Sequence, residues 1–207
     1  MQQKTTRRLF KGIYQYKIVL VCAGASHFRS GDMDAALAQL KKITLGKGDF
    51  YSSRGIKTQE DLDYCFKLQA QLKKLQDIEV RVETPWITVY TNTKSNVDVL
   101  IKVDPDNVKY VSSPAKATSL DADTIVMPKM NYDFRVTLGK TTQEHTAFVT
   151  WAEANSKVKL TKSCARDLSK NRSWGGTHFY ITGDNNLLMA KMHLGGAINK
   201  IERIIKA

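Results

Sequence analysis

Two stretches of the chain, 14–20 and 132–138, share one pattern of apolar and polar positions. Each has the form tyrosine, any residue, aromatic, basic, β-branched, any residue, leucine. Aromatic and β-branched residues bounded by turn formers are typical of strands. The pattern predicts two equivalent strands, and we expect each to lie at the centre of its sheet with its apolar side chains directed inward.

Each predicted strand is followed by the signals of a helix. Asp32, at the end of a Ser-Gly-Asp sequence, offers a cap before apolar residues at helical spacing. In the second stretch, Thr142 and Glu144 precede a segment that carries Phe148 and Trp151. The same order of elements in both places indicates a repeated unit.

Two more segments show helical spacing of apolar residues. Residues 59–75 carry leucines and a phenylalanine at intervals that approximate one face of a helix. Residues 198–206 place Ile198, Ile201 and Ile205 on one side. The pattern therefore predicts helices over 59–75 and 198–206.

The remaining periodic segments predict two hairpins. Residues 86–90 precede the β-branched run 97–103, with a polar turn at 92–96. Residues 174–180 precede 187–192, with a Gly-Asp-Asn-Asn turn at 183–186. Short apolar runs joined by such turns are typical of hairpins.

These elements predict an α+β fold of two similar halves, each a small antiparallel sheet with helices packed on one face. Internal duplication explains the similarity; the alternative is two similar strands that arose by chance. The unit resembles ferredoxin-like α+β modules in general character, and this resemblance implies no functional residues. We predict a basic arm over 1–12, a first half over 13–111, a linker over 112–127 and a second half over 128–207.

Composition narrows the class of protein. Of the 207 residues, 42% are hydrophobic and 25% charged, as in packed proteins. The longest apolar run, 18–23, is too short to span a bilayer, and no signal-peptide pattern is seen. We therefore expect no membrane partner and an intracellular, cytoplasmic location. Cys22, Cys65 and Cys164 are scattered and odd in number, which favours buried free thiols over disulfides or zinc ligands.

The charge of the chain is concentrated in two regions. The net charge of the chain is +12. Residues 1–57 have a net charge of +8, residues 58–125 of −3 and residues 126–207 of +7. A surface field of one sign attracts polyanions, of which nucleic-acid backbones are the commonest. The distribution therefore indicates a nucleic-acid partner.

The candidate binding residues combine cations for phosphates with aromatic rings for base stacking. They are Arg7, Arg8, Lys11, Lys157, Lys159, Lys162, Arg166, Lys170, Arg172, Trp174 and Tyr180. The alternative for the second group is a solvated basic sheet edge, with Trp174 and Tyr180 in the core. The alternative for the first is a disordered, solubilising tail.

No catalytic grouping is better than its structural explanation. The sequence Gly139-Lys-Thr follows a predicted strand, but Phe134 stands where a phosphate-binding loop requires its first glycine. Asp98, Asp104 and Asp106 with Lys109 have the composition of a metal-dependent nuclease site. The sequence Asp104-Pro-Asp-Asn107 is also a strong turn sequence, which is the favoured interpretation. We predict no metal and no cofactor.

Histidines offer one further acid–base candidate. His178 and His193 would face each other across the second predicted hairpin, which is an arrangement that permits RNA cleavage. Two ordinary surface histidines are the favoured interpretation.

The sequence thus predicts a non-enzymatic protein that binds single-stranded DNA or RNA with low sequence specificity. One alternative is a structural or assembly protein, of the kind that viruses and mobile elements encode, with an acidic protein partner. The other is a metal-dependent nuclease that uses Asp104 and Asp106.

Overall fold

The structure, a computed structural model, describes residues 1–45, 55–115 and 120–206. The chain divides into two compact units, Met1–Ser119 and Leu120–Ala207. Each unit contains one five-stranded sheet and its own helices. This architecture confirms the predicted α+β class with two similar halves.

The first unit has the sheet order β1-β5-β2-β4-β3. Its strands are β1 (Gln2–Thr6), β2 (Tyr16–Val21), β3 (Ile78–Glu83), β4 (Trp86–Thr91) and β5 (Val108–Pro114). Its helices are α1 (Met33–Leu40), α2 (Gln59–Lys74) and α3 (Lys94–Val103), with a 3₁₀ turn at Ala25–Phe28.

The second unit has the corresponding order β6-β10-β7-β9-β8. Its strands are β6 (Thr124–Val126), β7 (Phe134–Leu138), β8 (Val158–Leu160), β9 (His178–Ile181) and β10 (Ile198–Ile205). Its helices are α4 (Thr146–Glu153), α5 (Lys162–Leu168) and α6 (Asp184–Leu194), with a 3₁₀ turn at Gly195–Ala197.

The two sheets have the same topology. In each, four antiparallel strands have the order of a ferredoxin-like split βαβ module, and a fifth strand pairs in parallel with the last of the four. The strands predicted from the shared pattern, β2 and β7, are central in their sheets, as expected. The sheets are mixed rather than purely antiparallel because β1 and β6 are parallel to their neighbours.

Both predicted hairpins are wrong, because the second arm of each is a helix. Residues 97–103 lie in α3 and residues 187–192 lie in α6. β4 already pairs with β2 on one edge and β3 on the other, so no edge is left for the segment that follows it. β9 is enclosed by β7 and β8 in the same way. The chain must therefore cross the sheet as a helix to reach the far side of the central strand.

The predicted final helix is also wrong, since this segment is β10. It pairs with β7 in antiparallel and with β6 in parallel. A register shift between Ile198 and Lys200 breaks the alternation of side chains. In addition, Ile201 packs with the helix-covered core and Ile204 with a smaller cluster. Isoleucines on both sides of a bulged strand thus imitate the spacing of a helix.

Of the two predicted helix starts, the one at Asp32 is confirmed. The one at Thr142 and Glu144 is wrong, because Thr141 forms a bridge with Ser173 and α4 begins after His145 without a side-chain cap. The Asp32 carboxylate accepts hydrogen bonds from the amides of Asp34 and Ala35 at 2.9 and 3.1 Å, so α1 begins after it. Thr58 and Asp61 form a capping box at the start of α2. The helix predicted over 59–75 is confirmed, and it ends at Lys74.

Helices cover one face of each sheet. In the first unit, Ile18 and Val89 pack with Phe28, Leu68 and Leu100. In the second unit, β7 and β9 pack in the same manner against α4, α5 and α6. Side chains at alternate positions project from the opposite face, which no helix covers among the described residues.

The segments predicted as a basic arm and as a linker both contain β-strands. Within residues 1–12, β1 pairs with β5. Within 112–127 lie the end of β5 and all of β6; residues 116–119 are outside the described residues.

Cys22, Cys65 and Cys164 are buried free thiols, as expected, and Cys22 and Cys65 lie 3.5 Å apart. In the described part of the chain, every helix is too short or too polar to cross a membrane.

Candidate nucleic-acid interface

Trp174 is the most exposed large apolar side chain among the described residues, at 79%. It lies in the loop between α5 and β9. The Nζ of Lys140 is 5.1 Å and the Cζ of Arg172 is 5.2 Å from the centroid of its ring. These are cation–π distances, so one exposed indole is accompanied by two positive charges.

The backbone holds the Trp174 loop in place. Ser173 and Thr141 exchange two amide–carbonyl hydrogen bonds, at 3.0 and 3.1 Å. The amide of Gly176 donates to the Leu138 carbonyl at 2.8 Å, and the amide of Leu138 donates to the Thr177 carbonyl at 2.9 Å. The loop is thereby fixed to the end of β7, and Trp174 projects from a defined backbone.

Lys140 comes from the sequence that resembles a phosphate-binding loop. No helix begins directly after it, because Thr141 forms an isolated bridge with Ser173 and α4 begins at Thr146. The segment instead places the Lys140 ammonium group beside Trp174. Sequence reasoning missed this role, since nothing local connects Lys140 with a residue 34 positions further on.

The other predicted cations of the second unit lie on different surfaces. Lys162 and Arg166 are exposed, one turn apart, on α5, whose Cys164 side chain is in the helix-covered core. Lys159 alternates with the core residue Val158 and therefore projects from the opposite face of the sheet. Two more cations are exposed: Lys170, which is 3.9 Å from Asp167, and Lys157, which precedes β8.

Tyr180 is buried, with 7% of its surface exposed. Its ring centroid is 5.9 Å from that of Tyr132. The Arg135 guanidinium can only donate hydrogen bonds, so Nδ1 of His178 is the acceptor of the 3.2 Å hydrogen bond between them. The proton of that imidazole is then on Nε2, which donates to the Tyr180 hydroxyl at 3.1 Å. In this arrangement the Tyr180 ring offers no free face to a base.

The three predicted cations near the N-terminus belong to the first unit. Arg7 is exposed and Arg8 is half-buried. Lys11 forms an ion pair with Glu79, and its Nζ is 4.8 Å from the Tyr90 ring centroid. Part of the charge of Lys11 is therefore already compensated within the protein.

Two of the three acidic candidates, Asp104 and Asp106, lie in one turn. The Asp104 carboxylate accepts the amide of Asp106 at 3.0 Å and the side-chain amide of Asn107 at 2.8 Å. Asp98 pairs with Lys94 at 2.9 Å, one turn along α3. Among the described residues, no group of three or more metal-ligating side chains comes together.

The predicted pairing of His178 with His193 is wrong, since it required the second hairpin. His178 lies in β9 and bonds to Arg135. His193 lies in α6, where its ring stacks on Trp151 with centroids 5.6 Å apart. The two histidines therefore have different surroundings.

Comparison with known proteins gives no relative: no family model, no curated protein and no solved structure matches this chain.

Proposed function

We propose that this protein is a non-enzymatic nucleic-acid-binding protein that prefers single strands and has low sequence specificity. The observation that carries the proposal is the exposed Trp174 with Lys140 and Arg172 at its sides. An indole supplies a stacking surface for a base, and the two cations supply contacts to the flanking phosphates.

The exposure of Trp174 is energetically unfavourable in the free protein. Burying a large apolar side chain stabilises a protein by about 1.5–3 kcal/mol, and this side chain forgoes most of that gain. The loop that carries it is tied to β7 by backbone hydrogen bonds, so the exposure is built into the fold. A ligand that covers the ring recovers this free energy on binding.

The chemistry of the site favours single strands over duplexes. In a duplex the faces of the bases are covered by their neighbours, whereas unpaired bases can stack on an aromatic side chain. Stacking tolerates every base because each has a π face, and phosphate contacts carry no sequence information. Low specificity follows from both contributions.

Fluorescence anisotropy with a labelled ten-nucleotide oligonucleotide tests the proposal. We expect Trp174→Ala to weaken binding about five- to a hundredfold, because stacking contributes about 1–3 kcal/mol per base. Trp174→Phe should retain most of the affinity. Met192→Ala is the matched control, since Met192 is an apolar side chain of the same unit with 72% exposure on α6.

The salt dependence tests the electrostatic contribution. Five to eight cations near phosphates, at about −0.7 each for a single strand, give a slope of log affinity against log salt of about −3 to −6. A dissociation constant above about 100 μM at low salt would overturn the proposal. Cleavage of the oligonucleotide with Mg²⁺ or Mn²⁺, lost in Asp104→Ala, would identify a nuclease instead. Capture of an acidic protein from an extract that survives nuclease treatment, without oligonucleotide binding, would favour an assembly role.

A further inference from the structure

The sheet of the first unit has a face that α1, α2 and α3 leave uncovered. Ile18, Ile87 and Val89 point toward these helices, so the residues that alternate with them point away. We call this surface the open face of the first sheet. The side chains that define it are Lys4, Lys17, Trp86, Tyr90, Lys109 and Tyr110.

Lysine ammonium groups lie over the aromatic rings of this face. The Nζ of Lys4 is 3.8 Å from the centroid of Tyr110, and that of Lys17 is 5.4 Å from it. The Nζ of Lys109 is 3.6 Å from the ring of Trp86. The open face thus repeats, on a sheet, the combination of aromatic ring and cation seen at Trp174.

Two of the three rings are accessible. Tyr90 is buried beneath the turn that contains Phe10 and Tyr14, whose ring centroids are each 6.0 Å from its own. Trp86 is 38% exposed and Tyr110 is half-buried. A planar ligand can therefore reach Trp86 and Tyr110.

The two accessible rings are too far apart to contact one base. Tyr110 lies opposite Val19, and Trp86 lies opposite Val21 on the other edge of β2. With neighbouring strands about 4.8 Å apart and about 3.3 Å per residue along each, the two positions are about 12 Å from one another. Each ring must therefore accept a base of its own.

The positive charge lies on one side of this face. On β3, Arg81 pairs with Glu83 and Glu79 pairs with Lys11, so that edge is neutralised. Lys4, Lys17 and Lys109 lie on or beside β1, β5 and β2. Among the described residues, no carboxylate lies within ion-pair distance of these three lysines. The uncompensated charge is thus adjacent to the accessible rings.

We propose that the open face of the first sheet is a second binding surface for single-stranded nucleic acid. Two bases stack on Tyr110 and Trp86. Lys4, Lys17 and Lys109 leave the rings and bind the phosphates of the same strand. This inference rests on the proposed function, and it adds a surface that is independent of the Trp174 loop.

The exchange of partners on the rings is favourable. When a base takes the place of the ammonium group, the protein loses a cation–π contact, which is weak at an exposed site. Stacking of the base on the same ring is the stronger of the two contacts. The displaced ammonium group also gains a phosphate, with release of counterions.

The test uses the full chain with Trp174→Ala as background, so that the first unit is observed without the indole of the second. Tyr110→Leu and Trp86→Leu keep an apolar side chain and remove the π face, and Tyr110→Phe keeps both. In anisotropy titrations, we expect each leucine variant to weaken binding about five- to a hundredfold and Tyr110→Phe to change it less than about threefold. Lys102→Ala, an exposed lysine on α3, is the charge control.

Photocrosslinking locates the contact. An oligonucleotide with 4-thiouridine should crosslink, in the same background, to peptides that contain Tyr110 or Trp86. Crosslinks confined to other surfaces, with leucine variants that bind normally, would overturn this inference and leave the proposed function intact. Equal losses in Tyr110→Phe and Tyr110→Leu would also overturn it. Failure of the unsubstituted chain to bind any oligonucleotide would overturn the proposed function, and the inference with it.

A simple polyanion surface is the remaining alternative. In that case heparin would compete as well as an oligonucleotide of equal charge, and Tyr110→Leu would have no effect. That result would show electrostatic binding without stacking and would contradict the proposal.

Discussion

Gly175 lies so close to the backbone of Gly139 that a Cβ at position 175 would be 2.9 Å from the Cα of Gly139 and closer still to its carbonyl group. Gly175 also has a φ of +78°, which side-chain-bearing residues rarely adopt. The loop that presents Trp174 therefore depends on a glycine at position 175, because the backbone of residue 139 leaves no room there for a side chain.

Gly175→Ala should destabilise the second unit more than Gly176→Ala does. Gly176 has a φ of +86° and no atom within 4 Å of an added Cβ, so its alanine variant carries backbone strain alone, about 1–2 kcal/mol. Gly175→Ala adds a steric clash, which costs about 1–3 kcal/mol more. Urea unfolding of the two variants measures the difference; equal losses would contradict the close approach.

Removal of the two cations beside Trp174 should change the salt dependence of binding. We expect Lys140→Ala with Arg172→Ala to flatten the slope of log affinity against log salt by about 1.4, at about 0.7 per phosphate contact. Anisotropy titrations at four salt concentrations measure the slope. Lys191→Ala, on α6 of the same unit, should leave it unchanged.

Breaking the ion pair of Arg135 and Glu202 should be costly. Glu202 is 1% exposed, and its carboxylate lies 3.4 Å from the Arg135 guanidinium. Glu202→Leu leaves a largely buried guanidinium without this partner, which costs about 3–5 kcal/mol. Replacing both residues with leucine should recover part of that loss, since His178 and Lys200 each lose a partner as well. Denaturant unfolding of the double-mutant cycle checks this, and an additive double variant would contradict it.

The stability of the second unit should decrease at alkaline pH through Cys164. Burial raises the pKa of the Cys164 thiol from its ordinary value of 9.0 to about 12. Above pH 9 the unfolded thiol loses its proton while the folded thiol retains it, so the contribution present below pH 9 is lost as the pH rises toward 12. At pH 10.5 the loss is about 2 kcal/mol. The free energy of unfolding of Cys164→Ala, compared with the parent at pH 7.5, 9 and 10.5, should show a flatter decline.

The sequence alone correctly predicted those elements whose residue pattern fits only one type of secondary structure. The strands at Tyr16–Val21 and Phe134–Leu138 are rich in aromatic and β-branched residues, which are typical of strands wherever they lie in a sheet. The helix at Gln59–Lys74 was predicted from its apolar residues, which lie on one side. Local chemistry alone decides these segments.

Other segments satisfied two patterns at once. In α3, the run 97–103 is rich in β-branched residues as in a strand, yet Val97 and Leu100 also fall on one side of a helix. Only the pairing of β4 on both edges decides between them, and that pairing involves β2, far away in the chain. In β10 a bulge removed the strand period. Non-local contacts were therefore required, and a single sequence does not display them.

Only the part of the candidate site whose residues are adjacent in sequence could be predicted. Trp174 and Arg172 are neighbours in sequence, so their combination was visible. Lys140 lies beside Trp174 only because the chain folds. In the same way, strand pairing in the sheet brings Lys4 to Tyr110 and Lys109 to Trp86. Tyr180 has an aromatic ring that could stack on a base, but in the fold this ring is buried beside Tyr132.

The parallel edge strands have a consequence for the order of folding. Gln2 pairs with Tyr110, 108 positions away, whereas Glu83 and Trp86 close a hairpin within three. Loop-closure entropy grows with chain separation, so distant pairings form late. Among the described strands, β1 pairs only with β5, so we expect it to dock after β5 has joined the sheet, and we expect the same of β6 and β10 in the second unit. If β1 docks after the transition state, a substitution that weakens β1 accelerates unfolding and leaves the refolding rate nearly unchanged, which stopped-flow kinetics would measure.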